Sequence, residues 1–304
     1  MMPNVVKLRN LVKELQDWKK KEVRTFNRVV STLKVLGVGN KRYAQLAQQM
    51  IKGKIEPIDE VADLIETLHD IKAGERKIER KIVKELKEWK VWNEYLSKVK
   101  GCGSTIAATL ISKIYPISRF PKPSKLVAYC GVSPVYFKLK CEKGHKVITT
   151  SPREKCPVRV GNNGKPCDAR ILEVQKINRP VRKAEAKGYV FMICEELRPV
   201  LHQLAETFEK QGGYYRWLYD RAKQYYTQRD GDKIPKWRIR LRTLAWLKRI
   251  FLHHLWEAWR RLEGLPITEP YPVAKLGHEK IIVMVDYASN HFPRFVSSKN
   301  DGEL

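Results

Sequence analysis

Between two helical patterns the chain runs Val99-Lys100-Gly101-Cys102-Gly103-Ser104-Thr105, an apolar-x-Gly-x-Gly step that enters a small-residue helix from Ile106 to Lys113. Glycines lack a Cβ and can take positive φ, so such a loop can lie against a phosphate with its N–H groups turned outward. The helix that follows offers the positive end of its dipole to the same anion, and Ser104 is a natural N-cap for it. An ordinary tight turn is the alternative. The charge of the whole chain favours a helix-hairpin-helix grip on a phosphate backbone.

The 304 residues carry 60 Lys and Arg against 33 Asp and Glu, a formal charge of +27 and a pI near 9.8. A surplus of that size repels itself unless a polyanion is at hand. Nucleic acid, DNA or RNA, is the simplest partner, and its binding should weaken steeply with salt as counterions are released. A membrane surface would be the competing polyanion. No run approaches the ~18 apolar residues of a spanning helix, and no apolar segment follows Met1. The expectation is therefore a cytoplasmic protein, nucleoid-associated in a prokaryote, with no membrane partner. The basic residues are spread along the chain rather than gathered in a tail. Candidate DNA contacts are Lys100, Gly101, Gly103, Ser104 and Thr105 at the bend, Arg119, Lys122 and Lys125 just beyond it, and Arg238 and Arg242 further on.

Six cysteines in a chain of this length do not suggest a disulfide scaffold. Cys102, Cys130 and Cys194 sit in apolar contexts and read as small core residues. Cys141, His145, Cys156 and Cys167 cluster with glycines at Gly144 and at Gly161-Asn-Asn-Gly164, the arrangement of two knuckles around a tetrahedral ion. Cys₃His is a normal structural zinc set, although the interval between Cys156 and Cys167 is longer than usual. Unliganded thiols are the alternative. With all four positions filled by protein, such a zinc would be structural rather than hydrolytic.

Outward from the bend, the composition predicts a mainly α fold: a helical linker and a helix-hairpin-helix domain with a small β, zinc-ribbon-like insert. Val5, Leu8, Val12, Leu15, Val23, Phe26, Val30 and Leu33 keep helical spacing. Leu36-Gly37-Val38-Gly39-Asn40 interrupts them, either as a second phosphate clamp capped by Asn40 or as a plain turn, before a helix through Tyr43, Leu46 and Met50. A further helix is expected from Glu60 to Lys72, ended by Gly74. Ile78, Ile82, Leu86, Trp89, Trp92, Leu96 and Val99 then form a near-heptad seam. That seam either pairs with another chain as a homo-oligomer or packs on the preceding helices; the bulky tryptophans favour the latter. Ser124 should cap a helix from Lys125 to Cys130, closed by Gly131. Tyr189 to Phe208 reads as a buried helix or a pair broken at Pro199, followed by helices from Tyr214 to Tyr226 and from Lys236 to Leu262. In the last helix Lys236, Arg238, Arg240, Arg242, Lys248, Arg249, Arg260 and Arg261 supply a basic surface, with Trp237 placed to stack on bases or sugars. The expected organisation is 1–95 helical linker, 96–135 hairpin core, 136–178 zinc insert, 179–264 closing helices and 265–304 tail, with one strand at Ile281 to Asp286.

The run from Leu96 to Pro134 resembles the C-terminal transposase domain of the Piv/MooV class of insertion-sequence recombinases, which include bridge-RNA-guided enzymes. Gly101, Gly103, Ala107, Arg119, Phe120, Leu126, Ala128, Tyr129, Gly131 and Pro134 carry the likeness. Tyr215 to Asp220 and Arg242 to Leu262 look like the family's closing helices, and residues 5–98 like its helical linker. The resemblance implies DNA transposition by serine attack on phosphate, aided by magnesium on the carboxylates of an RNase-H-like domain. No stretch before Leu96 supplies that domain, so magnesium is expected only if a separate RNase-H-like subunit brings it. The cysteine insert occupies the place of the family's serine segment, and no nucleophile is assigned. A non-catalytic DNA-binding accessory protein is the alternative; guide-RNA binding is compatible with both.

Overall fold

Asn4 opens the first helix by accepting the Lys7 N–H on its side-chain oxygen at 3.0 Å, and α1 then runs over Val5–Val35. The computed structural model describes residues 4–38, 42–133, 135–160, 165–177 and 187–268. They form a mainly helical protein with a small mixed sheet. The chain divides into two compact units, Met1–Asn93 with Gly103–Ser112, and Glu94–Cys102 with Lys113–Leu304.

In the first unit α1 is followed by α2 (Tyr43–Ile51), α3 (Asp59–Leu86) and the short α4 (Lys90–Glu94). α1 and α3 run antiparallel. Lys7, near the start of α1, pairs with Glu85 near the end of α3 at 2.5 Å. The buried apolar positions of α3, Val61, Ile65, Leu68, Ile71, Ile78, Ile82 and Leu86, lie three, four or seven residues apart and so share one face. α2 closes one end of the hairpin, where Ala47 and Met50 join Val29, Leu33, Val61, Ile65 and Leu68 in one apolar cluster. Val23, expected in the stripe of α1, is 57% exposed.

Gly74 does not end a helix; α3 continues through it to Leu86. A Cβ at Gly74 would lie 2.8 Å from the Trp18 ring of α1, so glycine is there to let the two helices close on that indole. The seam beyond it packs within the chain, but not as one helix. The amides of Glu88 and Trp89 bond to the carbonyls of Glu85 and Leu86, and Asn93 Nδ2 reaches the Lys87 carbonyl at 2.7 Å, closing α3. Gly37 terminates α1, with Val38 N–H returning to the Leu33 carbonyl at 3.2 Å. Gly39 and Asn40 lie outside the described residues.

Beyond the bend come α5 (Ser104–Ile114), a 3₁₀ turn at Ile117–Arg119, and α6 (Pro123–Tyr129). Ser124 does not cap α6; the helix starts one residue earlier at Pro123, whose fixed φ suits a first turn. The four-stranded sheet has the order β5-β1-β2-β6, with β1 Tyr136–Cys141, β2 Lys146–Thr149, β5 Ile171–Ile177 and β6 Tyr189–Phe191. β1 is antiparallel to β2 and β5, whereas β6 joins β2 in parallel, Val147 facing Val190. Tyr189 to Phe191 is thus strand, not helix, because β2 offers an open edge. Helix resumes at α7 (Leu197–Gln211), and Pro199 falls in its first turn instead of breaking it.

α8 (Tyr214–Asp230) and α9 (Lys236–Leu262) complete the second unit. Phe208 stacks on Tyr215 at 4.4 Å, and Phe251 meets both rings within 5.7 Å. The buried Tyr215 hydroxyl bridges the Tyr95 hydroxyl at 2.8 Å and His254 Nδ1 at 3.0 Å, which makes His254 a core histidine. Trp256 Nε1 donates to the Phe120 carbonyl at 2.7 Å, tying α9 to the 3₁₀ turn. The strand expected at Ile281 to Asp286 lies outside the described residues.

Candidate metal centre and nucleic-acid interface

Two hairpins bring the Cys₃His set together. β1 and β2 carry Cys141 and His145 around a turn, with Cys141 N–H on the His145 carbonyl at 3.1 Å and Gly144 at φ +80°. Cys156 and Cys167 flank a second hairpin of β3 (Arg159–Val160) and β4 (Lys165–Pro166). Its ladder extends through Cys167 N–H to Val158 O at 2.7 Å and Cys156 N–H to Ala169 O at 2.9 Å. The long interval between these cysteines is therefore the length of a folded hairpin. Asp168 takes φ +50°, a left-handed conformation that Asp tolerates better than most residues, and turns the chain away after Cys167.

The four ligand atoms lie within 4.8 Å of one another. Cys141 Sγ is 3.5 Å and Cys156 Sγ 3.7 Å from His145 Nδ1. Zn–S bonds of about 2.3 Å and Zn–N bonds of about 2.0 Å give tetrahedral edges of roughly 3.5–3.8 Å, so the set fits zinc. The donors are chemically suited as well. Burial opposes ionisation of Cys141, but the amides of His145 and Lys143 and the neighbouring Cys156 and Cys167 thiols hold it below the usual thiol range. Burial pushes the Cys156 thiol up to about 11, with the Val158 amide pulling the other way. A cation among these sulfurs would favour the thiolates. Leu139, Val147 and Val158 pack around the cysteines. Zinc held by Cys141, His145, Cys156 and Cys167 would lock the two hairpins together. The Lys143 and Val158 amides that support the sulfurs carry no sequence signature of their own.

At the glycine bend the two glycines differ. Gly101 has φ +97°, and a Cβ there would meet Thr207 Cγ2 at 3.2 Å and Phe208 Cδ1 at 3.3 Å. Its space is taken by α7, so its glycine is a packing and turn requirement. Gly103 is exposed, with nothing within 4 Å of its Cβ position. The cap of α5 falls to Gly103, whose carbonyl accepts the Ala107 N–H at 3.0 Å, and Ser104 becomes the first helical residue. Ser104 and Thr105 are half-buried. Lys100 is exposed, its stem lying over Gly213 with Cδ 3.4 Å from the Cβ position there.

The other expected cations are placed unevenly. Arg119 donates to the Lys113 carbonyl at 2.7 Å and lies between the Phe120 and Tyr129 rings, 4.7 and 4.5 Å from their centroids. Lys122 and Lys125 are exposed at the start of α6. Arg238 is exposed 5.3 Å from the ring of Trp237, itself 58% exposed. Arg242 pairs with Asp230 and lies over Tyr226. The basic surface expected on α9 is narrower than the sequence suggests. Arg240 binds Glu206 and Glu209, holding the Glu209 carboxyl below its ordinary value. Arg261 pairs with Glu257, and the buried Arg260 donates to the Phe120 and Pro266 carbonyls.

Residues 93–138 match the model of the Transposase IS116/IS110/IS902 family. The matched segment contains the glycine bend, α5 and α6, and takes in the first three residues of β1; it is similar to a transposase-family domain. No curated protein matches the chain. No helix among the described residues is long and apolar enough to cross a membrane.

Proposed function

We propose that this protein binds DNA in transposition or site-specific recombination, holding the duplex by its phosphate backbone. The match at residues 93–138 carries the reading, because it covers the glycine bend of a chain with a net charge of +27. The amides of Gly103, Ser104 and Thr105 at the start of α5 are the proposed backbone contact, and the exposed Lys100, Lys122 and Lys125 of the second unit are further proposed phosphate contacts. Arg119 serves chiefly to fix the α5–α6 connection. The Cys₃His insert is a zinc-held structural element beside this segment. Cleavage chemistry is proposed only together with a separate RNase-H-like subunit that contributes carboxylates and magnesium. Among the described residues, the Cys/His cluster is the group of three or more metal-competent side chains. The same geometry serves an accessory protein that holds DNA without cutting it, and a guide RNA would meet the same cationic surface.

Gly103→Val is the direct test, since a side chain at Gly103 meets no neighbour whereas Gly101→Val would strike α7. A branched side chain over the first-turn amides should weaken duplex binding by about tenfold, or ~1.4 kcal/mol, with a melting temperature lowered only by the ~1 kcal/mol of a poorer N-cap. Unchanged affinity in fluorescence anisotropy would remove the bend from the interface. A wild-type protein with no salt-sensitive DNA affinity would remove the function.

A further inference from the structure

Arg198, in the first turn of α7, and Arg249 of α9 both lie close enough to Lys248 for their charges to act on it, and all three side chains are half-buried. The charged groups that bear on Lys248 are Arg198 and Arg249, both cations. Those that bear on Arg249 are the phenols of Tyr226 and Tyr136. Among the described residues no carboxylate pairs with any of the three. Elsewhere on α9, Arg240, Arg242 and Arg261 each have a carboxylate partner, Arg260 bonds to carbonyls, and Lys236 and Arg238 stand exposed in water.

The surrounding walls are built around these cations. Gly131 closes α6 at φ +65°, and a Cβ there would lie 2.7 Å from Arg198 Cδ, so the glycine makes room for the arginine stem. The Tyr136 hydroxyl donates to the Gly131 carbonyl, which fixes the phenol at the same place. Burial, then Arg249, hold His253 down to about 4, leaving it neutral. Burial, then the two arginines, bring Lys248 down to about 8. Cations drawn partly out of water and toward each other are unfavourable unless an anion lies among them. A phosphate, with oxygens that accept from a guanidinium fork and an ammonium together, is the anion these donors match. Gly131 and Tyr136 also fall inside the transposase-family segment, which sets the cluster beside it.

We propose that Arg198, Lys248 and Arg249 form a phosphate-binding site, and that its natural occupant is a phosphodiester of bound nucleic acid. The second half of this statement rests on the function proposed above; the first does not. The site is separate from the glycine bend and would hold a second point on the backbone. Arg198 gives no hint of this in the sequence, whereas Lys248 and Arg249 already belong to the basic surface expected of α9.

The test uses the full zinc-loaded chain and two probes, inorganic phosphate and a DNA duplex of about two helical turns. Phosphate at constant ionic strength should raise the wild-type melting temperature and have no such effect on Lys248→Met or Arg198→Met. Without ligand, both variants should melt no lower than the wild type, because each removes a repelled cation. Duplex affinity should fall about tenfold in Lys248→Met, with a log K against log salt slope shallower by about 0.9. Lys52→Met, at an exposed lysine ending α2, should change neither. Phosphate binding should also fade as pH rises through about 8, where Lys248 loses its proton, while Arg198 and Arg249 stay charged and His253 stays neutral. A wild type indifferent to phosphate, with duplex affinity unaltered in the variants, overturns the site and leaves DNA binding standing. A phosphate shift lost in the variants, in a protein that ignores DNA, overturns the function and leaves the site. A phosphate shift lost in the variants whose DNA affinity is intact overturns the nucleic-acid occupant.

Discussion

The helical hairpin of α1 and α3 and the cysteine insert around β1–β5 are held together by opposite means. In the hairpin, apolar residues at helical spacing bury one face of each long helix, and no single contact dominates. The insert has short strands, two of them only two residues long, and its buried cluster is three cysteines with Leu139, Val147 and Val158. So small a core does not offset the ordering of its loops. Stability in the first region is distributed; in the second, with a metal bound, it would be concentrated in four donor atoms. That difference fixes how each should fail.

Metal removal should have the largest effect, and only in the insert. Structural zinc sites contribute on the order of 10 kcal/mol or more to the fold they close. Chelation, or Cys156→Ala, should collapse the amide cross-peaks of residues 136–177 while the far-ultraviolet helix signal stays near its starting value. Elemental analysis should find about one zinc per chain, as a four-ligand site requires. Dispersed insert resonances in a metal-free sample would dissolve the contrast.

The next largest effect lies in the hairpin, at the point where its packing is tightest. Gly74→Val places a branched carbon about where the Trp18 ring already stands, 2.8 Å from its nearest atom. Overpacking of this kind costs roughly 1–3 kcal/mol, read as a lower urea midpoint. Trp18→Ala in the Gly74→Val background should recover part of that loss, because the clash is between those two groups alone. Failure to recover would mean that the helices do not cross there.

What the sequence made legible follows the same division. Long periodic segments announced themselves: α9 runs over Lys236–Leu262, bounded by Pro235 and a terminal Gly264, as the pattern requires. The Cys₃His cluster was legible from residue type, because Cys and His with glycine turns have few other uses in such a cluster. Features decided by distant partners were not. Gly74 reads locally as a terminator, and only Trp18, far back in the chain, explains it. Tyr189 to Phe191 is too short an apolar run to distinguish strand from helix until β2 offers an edge. Arg240 looks like a free surface charge until Glu206 and Glu209 of α7 are seen beside it. The bend shows both cases in three residues, Gly101 answering to α7 and Gly103 to open solvent.

The smallest expected effects come from one ion pair in each region, and they extend the comparison to electrostatics. Lys7 pairs with Glu85 at 2.5 Å, where the carboxylate is 6% exposed and the lysine 63%. Lys140 pairs with Glu173 at 2.9 Å across β1 and β5, with both side chains largely in water. Lys7→Met leaves a carboxylate among the apolar residues of the hairpin without its counterion. The penalty is bounded below by exposed pairs, which contribute little, and above by fully buried ones, whose disruption is severe. An intermediate loss of about 1 kcal/mol is expected because the lysine itself is solvated. Lys140→Met strands no buried charge, so the melting temperature of the zinc-loaded protein should not move. Equal effects from the two substitutions would show that burial of the carboxylate, rather than mere pairing, has been given too much weight in the hairpin.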